Sequence, residues 1–118
     1  VNIVDSKERF LGLGFFNSKS KINVRVISRE QTPINEEFFV RRITDALQVR
    51  KRFMPQATSF RVVNAEGDFL SGLIIDKYED VLVLQTSSLG MDKRKEIIAN
   101  ALVKVFSPRA ILEKNDSA

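Results

Sequence analysis

The 118 residues include no cysteine and no histidine. Disulfide scaffolds, zinc sites built from these ligands, cysteine nucleophiles and Ser-His-Asp triads therefore each lose a required part. With no disulfide to protect, a reducing cytoplasm is the default compartment. Long apolar runs are missing too. The mostly apolar stretch from Phe10 to Phe16 falls far short of the roughly 20 residues needed to span a bilayer. Asp5, Lys7, Glu8 and Arg9 interrupt any apolar core of a signal peptide. No membrane partner is expected. Neither a GxGxxG loop nor a P-loop occurs, so these residues hold no cofactor-binding signature.

What is present is ordinary for a globular chain: 43% hydrophobic and 29% charged residues, enough for one domain or one domain plus a piece of a second. The chain starts at Val1 inside what reads as a strand and stops at Lys114-Asn115-Asp116-Ser117-Ala118, so a fragment of a longer protein is expected. Its charge is uneven. Residues 1–59 hold eleven Lys/Arg against six Asp/Glu, a net +5, whereas 60–118 hold eight against nine, a net −1. A basic half points to a polyanion, most often nucleic acid, because neutralised phosphates release counterions. The plainer alternative is a solvated basic surface.

Periodicity predicts an α+β or α/β chain with helices packed on a sheet, of which α+β is the expected class. Residues 1–28 read as strands, with a turn at Ser6-Lys7-Glu8, glycines at 12 and 14 marking a bulge or close approach, a turn over 17–20, and alternation at Ile22, Val24 and Val26. Asn35 as N-cap, acidic Glu36 and Glu37 behind it, and a mostly apolar stripe through Phe39, Ile43, Ala46, Leu47, Arg50 and Phe53 predict a helix over about 36–53, stopped by Met54-Pro55. Strands follow at 60–63, 73–76 and 81–85. The run Val81-Leu82-Val83-Leu84 suggests burial on both faces. Residues 87–92 open a second helix over about 92–106, which ends at Ser107-Pro108 before a last strand at 110–112. The polar stretch 29–33 reads as a linker between two domains.

Lys19, Lys21 and Arg25 follow the aromatic pair Phe15-Phe16, a combination that can stack unpaired bases, although one ring at least should turn into the core. On the first helix Arg41, Gln48 and Arg52 share one side, and Arg42, Arg50 and Lys51 add charge against a single Asp45 after the first turn. Such a stripe can track a phosphate backbone of RNA or DNA. It equally describes a solvated face whose last-turn cations suit the helix dipole. Glu66, Asp68 and Asp76 invite a metal reading, but no further ligands arrive at a usable spacing, and acidic residues are routine in turns. No catalytic residue, cofactor-binding residue or metal ligand is expected here.

Three segments in order carry a family resemblance: Val4-Asp5-Ser6-Lys7 through Phe10-Leu11-Gly12-Leu13-Gly14-Phe15-Phe16 to Val26; Asn64-Ala65-Glu66-Gly67-Asp68-Phe69-Leu70-Ser71-Gly72-Leu73-Ile74-Ile75-Asp76-Lys77-Tyr78; and Glu113-Lys114-Asn115-Asp116. Together they resemble the class I SAM-dependent RNA methyltransferases of the large-subunit (23S) rRNA cytosine-5 type. Phe69 and Ser71 depart from it, standing where that family usually has Gly and Pro. The resemblance implies that 1–28 are the closing strands of a PUA-like barrel, 29–33 a linker, and 34–118 a central α+β domain ahead of a methyltransferase domain. It implies S-adenosyl-L-methionine as cofactor of the parent protein only, rRNA as partner, and a cytoplasmic enzyme whose catalytic residues lie outside these 118 residues. On that reading Lys19, Lys21, Arg25, Arg41, Arg42 and Arg52 contact RNA phosphates. A stand-alone RNA-binding module, or a docking or homodimerisation domain with an incidental basic face, stay open beside it.

Overall fold

The computed structural model describes residues 1–16, 24–29 and 31–114, and only the backbone of Phe16, Val24 and Arg25. The expected turn over 17–20 and the strand start at Ile22 lie outside the described residues. The chain divides into two compact units, Val1–Pro33 and Ile34–Ala118.

The first unit is an antiparallel sheet of β1 (Asn2–Val4), β2 (Phe10–Phe16) and β3 (Val24–Ser28), in that order. Asp5 shapes the β1–β2 turn. One carboxylate oxygen accepts the Lys7 and Arg9 backbone N–H groups at 2.9 Å each, and the other accepts Arg9 Nε–H at 2.6 Å. The Arg9 backbone N–H leads in holding this carboxyl below its ordinary value, against the opposing cost of desolvation. Gly12 allows a close approach, since a Cβ there would sit 2.6 Å from the Ser28 carbonyl oxygen. Phe15 and Ile27 turn inward and are buried.

In the second unit, α1 (Glu36–Phe53) begins where Asn35 Oδ1 accepts the Phe38 N–H at 3.1 Å. It ends at Met54, whose N–H still bonds to the Arg50 carbonyl at 2.7 Å before Pro55, which has no N–H to offer, stops the run. A four-stranded sheet follows in the order β4 (Ser59–Asn64), β5 (Leu73–Tyr78), β6 (Val81–Thr86) and β7 (Ala110–Glu113). The first three strands pair antiparallel, and β7 joins β6 in parallel. That parallel return needs a crossover, supplied by α2 (Leu89–Asp92) and α3 (Lys95–Phe106).

Register explains the core. Leu73 and Ile75 of β5 share a face with Leu82 and Leu84 of β6, and that face is closed by Phe38, Phe39, Ile43 and Ala46 of α1 and by Ile98, Ala101 and Leu102 of α3. A bulge in β4 leaves Val62 unpaired and buries both Val62 and Val63. Leu82 and Leu84 are buried, but Val81 and Val83 are only half-buried. The four-residue apolar run is thus covered on one face rather than two, because the helices pack on one side of the sheet.

The second expected helix, about 92–106, is α3, and the segment expected to open it forms the short helix α2 of its own. Ser88 Oγ accepts the Met91 N–H to start α2, and the helix tightens at once, with the Arg94 N–H bonding to Met91 three residues back. Arg94 takes non-helical φ −109° and ψ 14°, its guanidinium donates to the Gly90 carbonyl, and α3 restarts from it. Ser107 at φ 46° closes α3 ahead of Pro108.

Candidate nucleic-acid interface

The candidate surface is the outward side of α1 with the 3-10 turn Ala65–Asp68 that follows β4. Arg41, Asp45, Gln48 and Arg52 all lie exposed along that side. Eleven residues separate the two arginines, about 16 Å along the axis at 1.5 Å per residue. Asp45 sits on the same stripe and subtracts from its charge. Among the described residues Arg41, Lys51 and Arg52 have no ion pair, which leaves three solvated cations on this helix.

The other two basic residues of α1 meet partners within the fold. Arg50 makes a two-pronged pair with Asp68, Nη1 to Oδ1 at 2.5 Å and Nη2 to Oδ2 at 2.8 Å, and its Nε–H donates to the Arg61 carbonyl at 3.1 Å. Arg42 is half-buried. Its Cζ lies 5.0 Å from the Phe38 ring centroid and 5.7 Å from that of Phe69, so the guanidinium meets two aromatic rings. Arg50 was expected on the inward stripe and outside the RNA contacts, whereas Arg41, Arg42 and Arg52 were grouped together and the packing sets Arg42 apart from the other two. Lys19 and Lys21 lie outside the described residues, as does the side chain of Arg25.

The acidic residues that invited a metal reading are each engaged elsewhere. Asp68 binds Arg50 and accepts the Asn64 N–H at 2.7 Å. Asp76 binds Arg61 at 2.8 Å across the β4–β5 register, a hydrogen bond that raises the arginine above its ordinary value. Glu66 accepts the Ser71 hydroxyl at 2.9 Å. Among the described residues no three acidic side chains converge on one point.

Two aromatics depart from expectation. Phe53 was expected on the core stripe of the first helix but is 76% exposed. The 18-residue helix is about 27 Å long against about 20 Å for a six-residue strand, so its last turn overruns the sheet. Phe69, one of the two departures from the family pattern, is 70% exposed and holds the left-handed φ of 61° that a glycine adopts easily. Sequence reasoning did not single it out as a site. The available signal was a large aromatic directly after a Glu-Gly-Asp turn.

Residues 1–29 match the model of a PUA-like domain. Ribosomal RNA large subunit methyltransferase I of Pseudoalteromonas translucida is 39% identical over 98% of this chain, and the protein of the same name from Vibrio cholerae is 35% identical over all of it. The resemblance to the PUA-bearing RNA methyltransferases holds. This chain spans about 30% of the length of either relative. The architecture recurs in a candidate SAM-dependent methyltransferase from Streptococcus mutans, with a TM-score of 0.85 at 22% identity over 96% of this chain and 31% of that one. A further candidate methyltransferase, solved with SAH, gives 0.82 at 22% identity over 94% of this chain and 31% of its own. At that identity the likeness concerns the fold alone. Among the described residues no helix is long and apolar enough to cross a membrane.

Proposed function

We propose that this chain is the RNA-recognition and positioning segment of a cytoplasmic SAM-dependent rRNA methyltransferase that modifies carbon 5 of a cytosine in large-subunit rRNA. On this reading residues 1–28 close a PUA-like barrel, 29–33 form the linker, and 34–118 form the central domain that braces a methyltransferase domain outside these residues. The reading rests on one observation above all: the match to relatives named for large-subunit rRNA methylation runs through nearly the whole chain while taking up about 30% of theirs. The solvated cations Arg41 and Arg52 on α1 supply the electrostatics such a segment needs, and Lys19, Lys21, Arg25 and Arg42 complete the proposed phosphate contacts. SAM would be bound by the parent protein's catalytic domain, since this segment supplies no glycine loop for it.

The test is the native gene product incubated with methyl-labelled SAM and large-subunit rRNA lacking the modification. Label in 5-methylcytosine is the expected result. A native stop codon close behind Ala118, or no transfer to any cytosine, overturns the enzyme reading. A docking role has one observation of its own: the sheet face opposite the helices exposes Tyr78 and Leu112 beside half-buried Val81 and Val83. Sedimentation showing a dimer of this chain that is indifferent to RNA would favour that role instead.

A further inference from the structure

Phe69 stands apart from the other exposed apolar side chains. Its backbone lies in the left-handed region at φ 61° and ψ 28°, a conformation costly for a bulky residue. The ring is 70% exposed, so burial recovers little of that cost. The residues on either side are nevertheless held firmly. Asp68 is clamped by Arg50, Leu70 is fully buried with its N–H bonded to the Ala65 carbonyl at 3.0 Å, and the Phe69 N–H bonds to the Glu66 carbonyl at 3.1 Å. A rigid turn therefore presents this ring to solvent. The Arg42 guanidinium, 5.7 Å from the ring centroid, is positioned in turn against Phe38. Exposed Arg41, the preceding residue, adds a cation without an ion pair among the described residues. Local rules broken with no gain to folding are found most often where a protein binds something.

We propose that Phe69, with Arg42 beside it, is a stacking step for one unpaired nucleobase of the bound RNA, while Arg41 meets the adjoining phosphate. A planar base gains dispersion and π contact on the ring, and the guanidinium strengthens the electrostatics of the step. Two arginines at the ring, Arg42 against it and exposed Arg41 next in the chain, favour an occupant that carries phosphate. The proposal rests on the RNA-recognition reading and names one contact within it. Stacking accepts any base, so the step supplies affinity and register rather than sequence choice.

The test uses the 118-residue chain and a short uridine-rich RNA carrying one fluorescent adenine analogue whose emission falls on stacking. Phe69→Gly removes the ring, keeps the charge and relieves the backbone, so the thermal midpoint should not fall. Phe69→Leu keeps an apolar side chain without a π face, and Phe69→Trp keeps the stack. Both the Gly and Leu variants should lose about 5- to 100-fold in affinity together with the quench, at unchanged salt slope, while Trp retains both. Wild-type binding with Gly and Leu variants equally tight and equally quenched overturns the stacking step and leaves the RNA reading standing. A Leu variant that binds like wild type while Gly does not reduces the contact to an apolar one and also overturns it. If the wild-type chain binds no RNA at any salt, the RNA reading falls and this proposal with it.

Discussion

Replacing Asp68 by Ala strips three hydrogen bonds from one carboxylate: two from Arg50 and one from the Asn64 N–H. The side chains of Arg50 and Asp68 are 18% and 8% exposed, so the pair is largely withdrawn from water. Removing one partner of a fully buried pair costs about 3–5 kcal/mol, chiefly because the other charge is stranded. Here Arg50 keeps a hydrogen bond to the Arg61 carbonyl and some water, and Asn64 is exposed, which brings the expected loss to about 2–3 kcal/mol. For a unit of this size that lowers the thermal midpoint by about 10–20 °C. The assay is melting by far-ultraviolet circular dichroism on Asp68→Ala, Arg50→Met and the double variant. A coupling of about 1–2 kcal/mol is expected, since the double variant leaves no stranded charge. Losses that simply add, or a midpoint that does not move, would refute the argument that this pair ties the 3-10 turn to α1.

Three further outcomes follow from local geometry. Asn35→Ala should cost about 1 kcal/mol in thermal unfolding, because the Phe38 N–H loses its cap. Gly72→Ala should cost about 1–3 kcal/mol, since φ is +86° and the new Cβ would lie 2.4 Å from Ser88 Oγ; an unchanged midpoint would contradict the packing there. The Asp5 carboxyl is lowered in the folded chain, so its contribution is complete above the unfolded value, about pH 4, and is lost as pH falls through the lower folded value. Amide exchange at Lys7 and Arg9 should accelerate over that acid range in the wild type, and Asp5→Asn should abolish the pH dependence.

Where local chemistry decides the structure, it was readable in the chain. The expected helix over 36–53 and the observed α1 share their ends, because a capping Asn35 and a Met54-Pro55 stop act within one turn. The β5–β6 hairpin forms where Tyr78-Glu79-Asp80 interrupts two apolar runs, with Glu79 taking a positive φ of 56°. Non-local facts were not readable. Periodicity does not know how long the sheet beneath a helix is, and so it assigned Phe53 to the core. It does not know how many sides of a sheet carry helices, and so it doubled the cover on β6. In the candidate site the same limit separates like from like. Arg41 and Arg42 are neighbours with identical side chains, but the Phe38 and Phe69 rings hold one against the fold and leave the other in solvent. The left-handed backbone of Phe69 depends on anchors at both of its neighbours, which no spacing rule registers.

On the proposed function, this chain holds RNA through phosphates along α1. The most direct measurement is the affinity of the 118-residue chain for single-stranded large-subunit rRNA segments as salt rises, for wild type and Arg41→Ala/Arg52→Ala. Arg42 is left in place because its loss would also release the two rings it contacts. Each phosphate contact contributes about 0.7 to the slope of log affinity against log salt, so the double variant should bind more weakly with a slope shallower by about 1.4. An unchanged slope with unchanged affinity would contradict the account and remove α1 from the RNA interface.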